Sequence, residues 1–196
     1  MKPIIRILSL ILTVSTIYAV TVKSEEMKNT EEVYSVLNAS MEEFKQGNWS
    51  GFSEYVHPEA LNEFKNSMWE VMVYLAGQDT TPGSDTYLEM FGLNKVDGKL
   101  VEPSAKDFFD NTFKGISQLV PMFTEAMSST EYEILGNVKE GDTLVHVVTR
   151  STATMMGTTI TKMEIASLKK SGDSWKMLLS AEFENFGMQF QQMMGR

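Results

Sequence analysis

Between Glu131 and Phe183 the chain holds to strand-like alternation over four runs and breaks it only at three glycine-bearing turns. The runs are Tyr132–Lys139, Thr143–Met156, Thr158–Lys170 and Ser174–Phe183. The breaks fall at Glu140-Gly141-Asp142, Met156-Gly157 and Ser171-Gly172-Asp173. Consecutive strands joined so tightly make an antiparallel meander, and a meander with an apolar face has to be covered. The first half of the chain, where apolar residues step by three and four, supplies the cover. The expected class is α+β, with N-terminal helices packed on a sheet of four or more antiparallel strands and a short C-terminal helix.

Turn length sets the pairing. A two-residue loop at Met156-Gly157 puts Arg150 opposite Met163 and Val148 opposite Ile165. Closure at Gly172-Asp173 puts Leu168 opposite Met177 and Met163 opposite Glu182. Alternation then gathers Val145, Val147, Ala166, Leu168, Trp175, Met177, Leu179, Ala181 and Phe183 on one face. The other face is mixed, with Leu144, His146, Val148, Arg150, Met163, Ile165, Leu178, Ser180 and Glu182. Both are too apolar to be left in water, so helices are expected on one face and a cavity or partner subunit on the other.

Asn29 and Glu32 have capping-box spacing ahead of Val33, Leu37, Met41 and Phe44, and Gly47 is a fitting stop. A short helix carrying Trp49, Phe52 and Tyr55 follows. Pro58 then opens a third helix, with Leu61, Phe64, Met68, Val71 and Leu75 on one side and Gly77 at its end. Residues 78–85 read as a loop, 87–91 as a helical turn, and Asn94–Val101 as a small hairpin about Asp97-Gly98. A fourth helix runs from Ser104 to Met127 with Phe109, Phe113, Ile116, Val120, Phe123 and Met127 as its stripe, and Pro121 should kink or split it near Ser117.

The N-terminus is set apart from this domain. Lys2 and Arg6 precede an apolar run, Ile7 to Val20, which is too short and too interrupted by Ser and Thr for a spanning helix. Residues 1–19 read as a signal peptide cut after Ala19 or, alternatively, as an N-terminal anchor, with residues 25–196 as one domain exported to the periplasm or medium. Losing residues 1–19 removes Lys2 and Arg6 and moves the formal charge from −9 to −11. So acidic a surface repels phosphate backbones, which argues against nucleic acid as a partner. The chain has no cysteine and only two histidines, His57 and His146, on different elements. Neither a disulfide framework nor a zinc site is expected, and no cofactor motif is present.

Two segments carry a resemblance. Residues 47–59, running from Gly47-Asn48-Trp49 to His57-Pro58-Glu59, resemble the short second helix and His-Pro turn of the nuclear transport factor 2-like superfamily, in its bacterial SnoaL-like branch. Ser171-Gly172-Asp173-Ser174-Trp175-Lys176-Met177 resembles the glycine turn and Trp-Lys strand that commonly close those domains. The resemblance implies a curved sheet wrapped around helices as a cone with an internal pocket, often dimerising through the sheet. It also implies either an isomerase-, dehydratase- or cyclase-like activity or a non-catalytic binding role. The helix after Pro58 and the long Ser104–Met127 helix depart from the small enzymatic members. No Asp/His dyad stands at a matching position, so no catalytic residue is carried over.

The site residues expected for a ligand are His146, Arg150, Met163 and Glu182 on the mixed face, together with Trp69. As chemistry, Glu182 would be a carboxylate base, with His146 and Arg150 assisting, in a small-molecule isomerase or hydrolase. As plain structure, they make an ion pair and an ordinary strand histidine. His57, just before Pro58, reads as a helix-start residue rather than a ligand. The fifteen methionines suit either an adaptable apolar site or irregular core packing. The reading carried forward is an exported, non-catalytic binding domain whose partner is a small apolar molecule or a protein, with a homodimer as one arrangement; a purely structural dimerising module is the third.

Overall fold

A computed structural model describes residues 29–78, 88–89, 91–119, 121–155 and 157–180. The expected signal segment, residues 79–85 of the expected loop, Glu182 and the expected C-terminal helix lie outside the described residues.

Helix α1 occupies residues 29–46. Asn29 is already helical, so it is not the cap that its spacing to Glu32 suggested. Val33 and Leu37 are buried, with Met41 and Phe44 packed beside them. The helix stops where expected. Gly47 takes φ 66°, a left-handed conformation that a side chain resists, and its N–H and that of Asn48 return to the carbonyls of Phe44 and Glu43. Asn48 caps α2 (Trp49–Ser53) by accepting the Gly51 N–H through its side chain.

Helix α3 (Pro58–Gln78) begins at proline as read, but runs through Gly77 instead of ending there. A hairpin of β1 (Lys95–Val96) and β2 (Lys99–Leu100) turns on Asp97 and Gly98, both at positive φ. The long fourth helix is two: α4 (Ala105–Leu119) and α5 (Pro121–Ser128). The break comes after Leu119, later than the expected kink near Ser117. Pro121 cannot continue the ladder, so it restarts the helix as its first residue. The carbonyl of Ser117 then accepts from the Thr124 hydroxyl at 3.4 Å.

The sheet order is β3-β4-β5-β6, all antiparallel: β3 (Glu131–Glu140), β4 (Leu144–Met155), β5 (Thr158–Ser171) and β6 (Ser174–Met177). The expected register holds, with Arg150 opposite Met163, Val148 opposite Ile165 and Leu168 opposite Met177. Two features were not foreseen. A bulge between Ile134 and Gly136 leaves Leu135 without a partner. The last strand runs to Met177, short of the expected Phe183, with one further ladder bond from the Leu178 N–H to the Ser167 carbonyl, and the Met177 backbone faces away from β5. Its N–H donates to Tyr55 and its carbonyl accepts from His57, both at 2.7 Å, tying the loop before α3 to the sheet.

The core lies between α2, α3, α4 and the root of the sheet. Trp49 stacks on Phe113 at 4.8 Å, Phe52 on Phe109 at 6.0 Å, and Phe64 meets Phe109 at 5.1 Å and Phe113 at 5.5 Å. Such pairs add about 0.5–1.5 kcal/mol each beyond the area they bury. Beneath them the sheet presents Val145, Val147, Leu168, Trp175 and Met177, all buried.

Candidate functional site

Along the inner face of β4 and β5 the side chains change character from root to tip. Val145 and Val147 give way to Thr149, Ser151 and Ala153, and Leu168 gives way to Ala166, Glu164 and Lys162. Large apolar groups fill the root. Small and polar ones leave room above the tip, and a hollow of about 670 Å³ lies there.

Helix α1 roofs that hollow with Leu37, Met41 and Phe44, and Ala126 and Thr130 bound it from the end of α5. Polar side chains hold α1 over the sheet. Asn137 donates to the Tyr34 hydroxyl at 2.7 Å, Tyr132 donates its hydroxyl to Asn38, and buried Ser40 donates to Leu37 O and to the Met177 sulfur. These bonds fix the spacing between roof and floor, so the hollow belongs to the fold.

The polar groups within reach are few. Ser151 donates to the Glu164 carboxylate at 2.8 Å, and Thr149, almost fully buried, reaches the Glu164 carbonyl at 3.4 Å. Burial, followed by the negative charge of Glu42, raises the Tyr132 pKa above the ordinary phenol value. Tyr132 therefore stays a neutral hydroxyl over a wider pH range. The hollow offers an apolar body with a polar fringe of Tyr132, Ser151, Lys162 and Glu164. That chemistry suits an apolar or amphipathic molecule.

The hollow's position corrects one expectation. Helices and cavity were expected on opposite faces, but they share the inner one, because β4 and β5 run on past the aromatic core. His146 and Arg150 stand on the outer face, and neither lines the hollow. His146 contacts Ser167 Oγ through Nδ1 at 2.9 Å and the Glu140 carboxylate through Nε2 at 3.0 Å. Arg150 was expected beside Glu182; its described partner is Glu133, directly across the ladder on β3, at 2.8 Å. One arginine–glutamate ion pair and a separate histidine–carboxylate contact result, and the described residues bring no acid, base and anion-stabiliser together.

Met163 borders the hollow, while Trp69 sits on α3 with its ring edge against Phe108 at 5.9 Å, away from it. His57 behaves as a helix-start residue, its Nδ1 accepting the Glu59 N–H at 3.2 Å. Among the described residues, no three His, Asp or Glu side chains gather as a metal site would, and no helix is long and apolar enough to cross a membrane. Sequence reasoning missed Tyr132, Ser151, Ala153 and Ala166. The signal for them was the fall in side-chain size along one face of one hairpin.

No family model matches the chain, and neither does any curated protein. Among solved structures it is similar to an NTF-2-like protein of unknown function from Shewanella oneidensis MR-1, at 13% sequence identity and a TM-score of 0.44, over 76% of this chain and 94% of that one.

Proposed function

We propose that this protein is an exported, non-catalytic binding domain whose hollow takes a small apolar or amphipathic molecule. The observation that carries this reading is the space itself: about 670 Å³ roofed by Leu37, Met41 and Phe44 and floored by Ala153 and Ala166. Volumes of that order hold a drug-sized or lipid-sized ligand. The basic-then-apolar segment from Lys2 to Val20 supports export. The isomerase or hydrolase alternative draws no support from His146 and Arg150, each of which is engaged with a different carboxylate on the outer face.

The test uses the intact chain and an anilinonaphthalene sulfonate dye as probe. Saturable binding at one site is expected, weakened at least about tenfold, or about 1.4 kcal/mol, by Ala166→Phe, which fills the floor of the hollow. Native mass spectrometry of the protein from its source should also show a retained small-molecule adduct. Absence of saturable binding, or binding indifferent to Ala166→Phe, overturns the proposal.

A further inference from the structure

The outer face of the sheet carries a side-chain relay that the hollow does not use. His146 on β4 stands directly across from Ser167 on β5, and neither lines the hollow. The Lys170 N–H donates to the Thr143 carbonyl at 2.8 Å, which sets the phase of this ladder. Counting by two makes Val145 and Val147 hydrogen-bonded positions and leaves His146 and Ser167 as a pair without backbone bonds between them. In such pairs the side chains stand closest. Ser167 turns its backbone the other way, its carbonyl accepting from the Leu178 N–H at 2.8 Å. Two paired strands, not a loop, bring the side chains together.

The contacts fix the direction in which a proton moves. His146 Nε2 lies 3.0 Å from the Glu140 carboxylate at the end of β3, and Nδ1 lies 2.9 Å from Ser167 Oγ. A carboxylate only accepts, so in the neutral imidazole the proton sits on Nε2 and Nδ1 is left as the acceptor. Ser167 therefore donates its hydroxyl to a nitrogen able to take the proton. Nucleophile, base and orienting carboxylate stand in the order that activates a serine. Val138, opposite His146 on β3, and Ile165, two residues before Ser167 on the same face, are both exposed. They give the hydroxyl an apolar flank for a short hydrocarbon chain.

We propose that Ser167 is a covalent modification site that takes a short apolar acyl group from an activated ester or thioester. Ser167 Oγ bonds to the acyl carbon as its proton passes to His146 Nδ1. The bond from that carbon to the leaving oxygen or sulfur breaks. The departing group keeps the bonding pair and receives the proton from Nδ1. The relay holds a nucleophile, a base and an orienting carboxylate, with no oxyanion donor among its described members. It therefore needs a donor with a good leaving group, and the acyl ester stays in place after one transfer per chain. The site is separate from the hollow, and the inference does not depend on ligand binding there.

The test incubates the intact chain with p-nitrophenyl acetate and maps the acetylated residues by mass spectrometry. Acetyl should accumulate and be retained on Ser167, well ahead of the exposed Ser174. His146→Ala should slow that acetylation at least about tenfold. Acetyl confined to lysines, Ser167 acetylated no faster than Ser174, or a smaller fall in His146→Ala would overturn the proposal; the first two results need no variant to fold. Nitrogen-15 NMR of the His146 ring supplies a second readout and tests Glu140 as the positioning residue. In the neutral ring the proton should sit on Nε2, and Glu140→Ala should lose that preference and slow the acetylation. A proton on Nδ1 in the unaltered chain would overturn the proposal without any acyl donor.

Discussion

The two halves of the space between helices and sheet are built from the same elements and finished differently. Toward the root, Trp49, Phe52, Phe64, Phe109 and Phe113 interlock over Val145, Val147 and Leu168, and little room remains. Toward the tip, the floor is Ser151, Ala153 and Ala166, and α1 is held above it by hydrogen bonds from Tyr132 and Asn137. The root is held by close packing; the tip is held open by polar struts. A cavity with apolar walls is unfavourable unless something keeps the walls apart or fills it, which is why the proposed binding site lies at the tip rather than the root.

The largest expected effect tests the filled half. Phe109 is fully buried and touches Phe52, Phe64 and Phe113. Phe109→Ala should cost about 3–5 kcal/mol in urea unfolding. A loss below about 1 kcal/mol would show that the root is loosely packed and erase the contrast.

The contrast is tested most directly by adding the same ring to each half. Ala60 is buried on α3 within the packed cluster, so Ala60→Phe should destabilise by about 1–3 kcal/mol or more. Ala166→Phe, on the floor of the hollow, should cost under about 1 kcal/mol, since the ring enters space already present. Thermal and urea unfolding of the pair checks this. Equal penalties would mean that the tip is as full as the root.

The floor of the hollow was written in the sequence, yet the hollow itself was not. Glycine turns at Gly157 and Gly172 announced the hairpins, and their loop lengths gave the register that places Arg150 against Met163. Stripe spacing announced Phe109, Phe113 and Ile116. It missed Phe108, because α4 packs on one side against Phe52 and on another against Phe64 and Trp69, and a single stripe cannot describe a helix buried on two sides. The bulge at Leu135 and the end of β6 at Met177 also escaped the alternation pattern. For the site, alternation separated the two faces but could not say which enclosed space. That depends on the height of α1, set by Tyr34, Asn38 and Ser40 reaching residues 94 to 137 positions away. The polar outer residues His146 and Arg150 attracted attention because they look chemical, while the small residues that make room do not.

A smaller effect sharpens the picture of the root. Thr112 is fully buried on α4 and its hydroxyl has no hydrogen-bond partner. Burying an unpaired hydroxyl costs about 1–3 kcal/mol on mutational scales. Thr112→Val keeps the shape and removes the hydroxyl, so it should leave stability unchanged or raise it by up to about 1 kcal/mol. Clear destabilisation would mean that the hydroxyl is served by a group such as an internal water.

The smallest expected effect concerns how the packed root is tied at its rim. Glu59, in the first turn of α3, receives a hydrogen bond from Lys169 on β5 at 2.5 Å. That hydrogen bond first, then the Lys169 charge, holds the Glu59 carboxyl below the ordinary glutamate value, with a weaker contribution from His57 and against a small effect of burial. The folded state thus favours the ionised form, so the contribution is present above the unfolded pKa and is lost as pH falls through the lowered folded one. Glu59→Gln should be slightly less stable than the parent at about pH 7, and the gap should close in acid, where both side chains are neutral. Because the pair is solvent-exposed and screened, raising salt should shrink the neutral-pH gap as well. A gap unchanged by acid and by salt would assign Glu59 a packing role instead, and would leave the root held by contact alone, with charge adding nothing at its edge.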